Sequence, residues 1–143
     1  MKTRFWQKTL IVAALLTAGA MGQSMRSNQI VQVPFPFIVA EHTLPAGRYF
    51  VTNIGETRLR IFSAERQSAL VQTQTVQGHS PEGSGKMIFH RYGDVYFLAE
   101  VWAPGQDVGQ QLTKSRAEKE MRKLKATESG TQTAVLRFTS IAY

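Results

Sequence analysis

From residue 30 onward, apolar and polar positions alternate with a period of two, broken at short intervals by glycine, proline and small polar residues. Such alternation marks strands that bury one face. Leu59 and Ile61 alternate with Arg58 and Arg60, and Ala134, Leu136 and Phe138 with Val135, Arg137 and Thr139. The pattern predicts seven strands, over 30–40, 48–54, 57–63, 68–77, 86–92, 95–103 and 131–143. Pro34 and Pro36 lack amide donors, which places the first strand at a sheet edge or makes it irregular there. Leu44-Pro45-Ala46-Gly47 reads as a turn and residues 78–85 as a loop. Strands at this spacing predict a mainly β domain, an antiparallel sandwich or a small barrel of about seven strands.

One segment, residues 115–125, departs from the period of two and places a helix before the last strand. Ser115-Arg116-Ala117-Glu118 fits a capping box, in which serine caps the third helical amide and glutamate reaches back. Ala117, Met121 and Leu124 then form an apolar stripe at helical spacing.

The densest run of aromatics is 89–102, Phe-His-Arg-Tyr-Gly-Asp-Val-Tyr-Phe-Leu-Ala-Glu-Val-Trp. Gly93-Asp94 between two such runs signals a two-residue hairpin that pairs Tyr92 with Val95, Arg91 with Tyr96 and His90 with Phe97. One face then carries Ile88, His90, Tyr92, Val95, Phe97, Ala99 and Val101, and is expected to be core. The other carries Met87, Phe89, Arg91, Tyr96, Leu98, Glu100 and Trp102, and is expected to be covered by the helix stripe.

The first 20 residues change the picture from a domain to an exported domain. Lys2, Arg4 and Lys8 precede an apolar run from Leu10 to Leu16, and Ala18-Gly19-Ala20 offers a cleavage site. The run is too short to cross a bilayer comfortably, so no membrane anchor is expected after cleavage. A flexible stretch over 21–29 and a single domain over 30–143 would follow. The expected outcome is a mature chain that starts near Met21 and fractionates as soluble, periplasmic or extracellular protein. N-terminal sequencing of the fractionated protein checks this, and a full-length chain in washed membranes would contradict it.

Cysteine is absent, which excludes disulfides, thiol catalysis and a lipidated cysteine tether. Charge is unevenly spread. Of 17 basic residues, three lie in the leader and six between 113 and 125, where they face only two acids. The net charge of +7 therefore describes a leader and one basic segment, not a basic docking face for nucleic acid, and no nucleic-acid partner is expected.

Val33-Pro34-Phe35-Pro36-Phe37, Leu44-Pro45-Ala46-Gly47-Arg48-Tyr49, Phe89-His90-Arg91-Tyr92-Gly93-Asp94, Tyr96-Phe97-Leu98-Ala99-Glu100-Val101-Trp102 and Lys114-Ser115-Arg116-Ala117-Glu118-Lys119-Glu120 occur in this order. These blocks resemble the signature blocks of a family of short, uncharacterised exported proteins of soil bacteria. The resemblance implies export and a single domain, and brings no activity, ligand or catalytic residue with it.

The chemistry-bearing residues are dispersed. His42, His79 and His90 show no short ligand spacing, and no nucleophile elbow or phosphate loop occurs. His90 reads as a hydrogen-bonded structural residue and Asp94 as a turn residue. No metal, cofactor or catalytic residue is expected, and the chain is read as non-enzymatic. Two classes remain: an envelope interaction or structural protein, meeting an envelope protein or anionic surface through an edge strand or the basic helix, is preferred. The alternative is a binding module for a small or glycan-like ligand, with Arg91, Tyr96, Glu100 and Trp102 as its platform. Oligomeric state is left open by the sequence.

Overall fold

The computed structural model describes residues 29–78, 85–126 and 131–138. The expected leader and cleavage site lie outside these residues, as do the expected flexible stretch over 21–29 except Gln29, which is in a strand, most of the expected loop over 78–85 with His79, and the end of the expected last strand. Ten strands and one helix follow in the order β1 (Gln29–Val33), β2 (Phe37–Val39), β3 (His42–Leu44), β4 (Gly47–Asn53), β5 (Arg58–Phe62), β6 (Ser68–Gln77), β7 (Lys86–Tyr92), β8 (Val95–Trp102), β9 (Val108–Leu112), α1 (Arg116–Lys125) and β10 (Gln132–Arg137).

The fold is mainly β, with one helix before the last strand, as expected. Eight strands pair in the antiparallel path β10-β7-β8-β9-β6-β5-β4-β1. Its ends, β10 and β1, approach each other, yet no ladder joins them among the described residues. The sheet is therefore not closed, and it folds over one core in a sandwich-like arrangement. The short β2–β3 hairpin attaches to β8 through a parallel pairing of Ile38 with Phe97, the single parallel contact among the described ladders.

The three extra strands have simple origins. Pro34 and Pro36 interrupt the first predicted strand, which splits into β1 and β2. Its partner β3 spans three residues, too short to show a period. β9, with sequence Val-Gly-Gln-Gln-Leu, carries too few apolar residues to announce itself, yet it fills the gap between β6 and β8.

The hairpin register is as expected: Tyr92 faces Val95, Arg91 faces Tyr96 and His90 faces Phe97. Gly93 has φ +62°, while Asp94 keeps a negative φ. Tyr92, Phe97 and Ala99 of the expected core face are buried, but the central core cluster draws mainly on the other face. Met87, Phe89 and Leu98 are core, and a bulge at Ala99 switches parity so that Val101 joins them. What covers this face is not α1 but the N-terminal segment. Phe35, held out between the two prolines, stacks on Tyr96 at 3.7 Å and meets Phe89 edge-on at 5.2 Å. Phe37 meets Phe89 and Tyr49 edge-on. The helix lies instead on the His90 and Tyr92 face. The expected apolar stripe does not dock: Ala117 is exposed, Met121 half-buried and Leu124 73% exposed.

Candidate functional site

Glu118 carries the helix. It is the one buried residue of α1, 3% exposed, and a carboxylate in that position needs partners. Ser115 caps the helix, accepting a hydrogen bond from the Glu118 amide at 3.1 Å. The Glu118 side chain completes no capping box among these contacts. It turns inward, where Oε1 accepts from the Tyr92 hydroxyl at 3.1 Å and lies 2.6 Å from His90 Nδ1. The spacing of His90 and Tyr92, two apart on one strand face, matches the reach of one carboxylate. His90 is thus hydrogen-bonded, as expected, to a partner the sequence did not name.

The helix then runs along β7 toward the hairpin turn, and the Lys125 side chain passes close to Gly93. Burial of the Tyr92 ring raises its phenol above the ordinary tyrosine value, with the Glu118 charge adding to the rise and a hydrogen bond with Thr131 opposing it. Tyr49 is raised in the same direction, first by burial and then by the Glu65 charge, and its hydroxyl donates to the Pro45 carbonyl at 2.6 Å.

Next to this clasp the sheet surface opens into a depression of about 200 Å³. Its floor is Ala99, the bulged residue, and Leu112; its walls are Gln74, His90, Gln111, Thr113, Lys114 and Glu118. Gln74 and Gln111 are direct cross-strand partners of β6 and β9, so their amides stand side by side.

The four residues expected to form a ligand platform are not brought together. Arg91 lies over the Tyr96 ring at 5.5 Å, and its Nε donates to the Gly93 carbonyl at 2.7 Å. Glu100 and Trp102 form a second pair on the opposite face, with Trp102 Nε1 donating to Glu100 Oε2 at 2.8 Å. Trp102 is buried across Gly78 and Gly109 rather than beneath the helix. Neither Tyr96 nor Trp102 lines the depression. The bulge at Ala99 is what separates the pairs, and no residue type announces a bulge in advance.

Among the described residues no group of three or more histidine, cysteine or acidic side chains is placed to hold a metal. No helix there is long and apolar enough to cross a membrane. Comparisons with protein-family models, with curated proteins and with solved structures give no match.

Proposed function

We propose that this chain is an interaction protein of the cell envelope rather than an enzyme, and that it presents α1 to an anionic lipid surface. The observation that carries this reading is the way α1 is docked. A helix normally turns its apolar stripe to the core. Here one buried carboxylate holds the helix down, and Ala117 and Leu124 stay exposed. Arg116, Lys119, Arg122 and Lys123 are exposed on the same helix. An outward face combining cations with an apolar side chain is what an interfacial helix offers to anionic headgroups. The exposed Glu120–Lys123 pair at 3.3 Å is of the weak surface kind and competes little with a headgroup.

Co-sedimentation with vesicles tests the reading. Binding is expected to vesicles rich in anionic phospholipid, and to be absent with zwitterionic vesicles and lost at high salt. Each juxtamembrane lysine contributes about 1 kcal/mol to such binding. Lys119→Glu with Lys123→Glu should therefore weaken it by at least tenfold, roughly. Leu124→Ser should weaken it without changing its salt dependence. Equal binding to both vesicle types, or none to either, would overturn the lipid reading and move an acidic protein partner ahead of it.

A further inference from the structure

We infer that the depression between α1 and the β6–β9 pair is a binding site for a small oxyanion, the carboxylate or phosphate group of a low-molecular-weight compound. This site is separate from the exposed face of α1 and does not depend on what that face meets. Its walls come from elements far apart in sequence: Gln74 from β6, His90 from β7, Gln111 from β9, and Lys114 and Glu118 around the start of α1. The volume of about 200 Å³ is several times the roughly 30 Å³ of a liquid water molecule, room for a small hydrated or organic anion. The bulge supplies the room, since it puts the small Ala99 on the floor where a larger side chain would fill the space. Bulges of this kind re-aim side chains beside binding sites.

The polar walls are rich in donors. Lys114 offers only donors, and the paired amides of Gln74 and Gln111 each offer an NH₂ group. Glu118 holds His90 by Nδ1, which fixes the ring and leaves Nε2 without a hydrogen bond to any described residue. The charges work together. Glu118 Oε1 already takes hydrogen bonds from Tyr92 and His90, which turn its carboxylate toward the sheet. Lys114 supplies the lysine cation of the walls. The groups facing His90 are Glu118 from α1, Tyr92 from its own strand and Lys114 from the link before α1; the β6, β8 and β9 walls contribute no charge. No phenylalanine, tyrosine or tryptophan ring lines the depression, which favours an anion over a sugar that would stack.

The test is an NMR titration of the isotope-labelled protein with inorganic phosphate, acetate and, as control, chloride. His90 is assigned by comparison with the His90→Gln variant. A saturable shift of the His90 ring signals is expected with phosphate or acetate but not with chloride. Saturation by one of the two names the anionic group the site takes. Lys114→Gln should weaken binding about tenfold by removing one charge-assisted hydrogen bond, with the fold intact. Gln111→Ala should weaken it less, since it removes a neutral donor. Shifts that grow linearly as with chloride, or equal affinity in Lys114→Gln, would mean an adventitious ion only and would overturn the assignment.

Discussion

Replacing Glu118 by alanine is expected to destabilise the fold by about 2–4 kcal/mol, the cost of removing one member of a buried hydrogen-bonded pair. Two contacts are lost together, because Oε1 serves both His90 Nδ1 and the Tyr92 hydroxyl, and with them the helix loses its anchor. The His90 ring is 24% exposed and recovers some solvation, which keeps the cost below that of a fully sealed pair. Denaturant unfolding measures the loss. Glu118→Gln keeps an acceptor oxygen and should cost only about 1 kcal/mol. Glu120→Gln, on the solvent side and 59% exposed, should stay within about 0.5 kcal/mol. Equal effects for Glu118→Ala and Glu120→Gln would show that the clasp does not hold the helix. The alkaline limb carries a second signature. Since the folded-state Tyr92 phenol is raised, its contribution is fully present below the ordinary tyrosine value near 10 and is lost as pH climbs through the raised one. Glu118→Ala should flatten that limb, because the carboxylate contributes to the rise.

The helix shows where sequence reading succeeds and where it stops. Its limits were legible: residues 115–125 were expected, and Arg116–Lys125 with a Ser115 cap is what forms. Local hydrogen bonding decides a cap, and local sequence contains it. The inward face was not legible. Spacing alone gives two candidate stripes, Ala117-Met121-Leu124 and Glu118-Met121-Lys125, and an apolar preference chooses the first. The second wins because His90 and Tyr92 wait on β7, and only tertiary structure puts them there. The hairpin makes the same point. Gly93-Asp94 and the alternation around it specify the register. Both of its faces are apolar enough to be core, so composition could not choose between them. Phe35, projecting from between two prolines, decides it by covering Phe89 and Tyr96. As for the candidate platform, Arg91, Tyr96, Glu100 and Trp102 share a face only if the hairpin is regular. One extra residue at Ala99 moves Glu100 and Trp102 to the other side.

Gly109→Val is expected to cost about 1–3 kcal/mol and to push the Trp102 indole into solvent, the usual result of inserting bulk into a packed site. Gly109 sits directly opposite Trp102 in the β8–β9 pair, and the indole lies flat across it. A Cβ there would stand 2.6 Å from the indole Cδ2, closer than real contacts permit. The ring has little freedom to yield. A Cβ on Gly78 would also collide with it, the Trp102 Nε1 is tied to Glu100, and the Lys86 ammonium lies 5.8 Å from the ring centre. Trp102→Ala should cost more, about 3–5 kcal/mol, since it empties a site only 7% exposed. In Trp102→Ala the glycine constraint disappears, so Gly109→Val added to Trp102→Ala should cost less than it does alone. That non-additivity is what direct contact produces. Unfolding of the two single variants and the double variant measures it. The intrinsic fluorescence of Trp102 in the Gly109→Val protein supplies an independent reading, with increased access to a soluble quencher expected. Additive costs and unchanged quenching would mean that the indole does not rest on the glycine. The same variant also separates the two halves of the surface. The His90–Glu118 clasp lies beyond the bulge, on the helix side of Ala99, so displacing Trp102 should leave the His90 ring signals in place. Loss of both together would make the outer face of the sheet one cooperative layer, with Ala99 as its pivot.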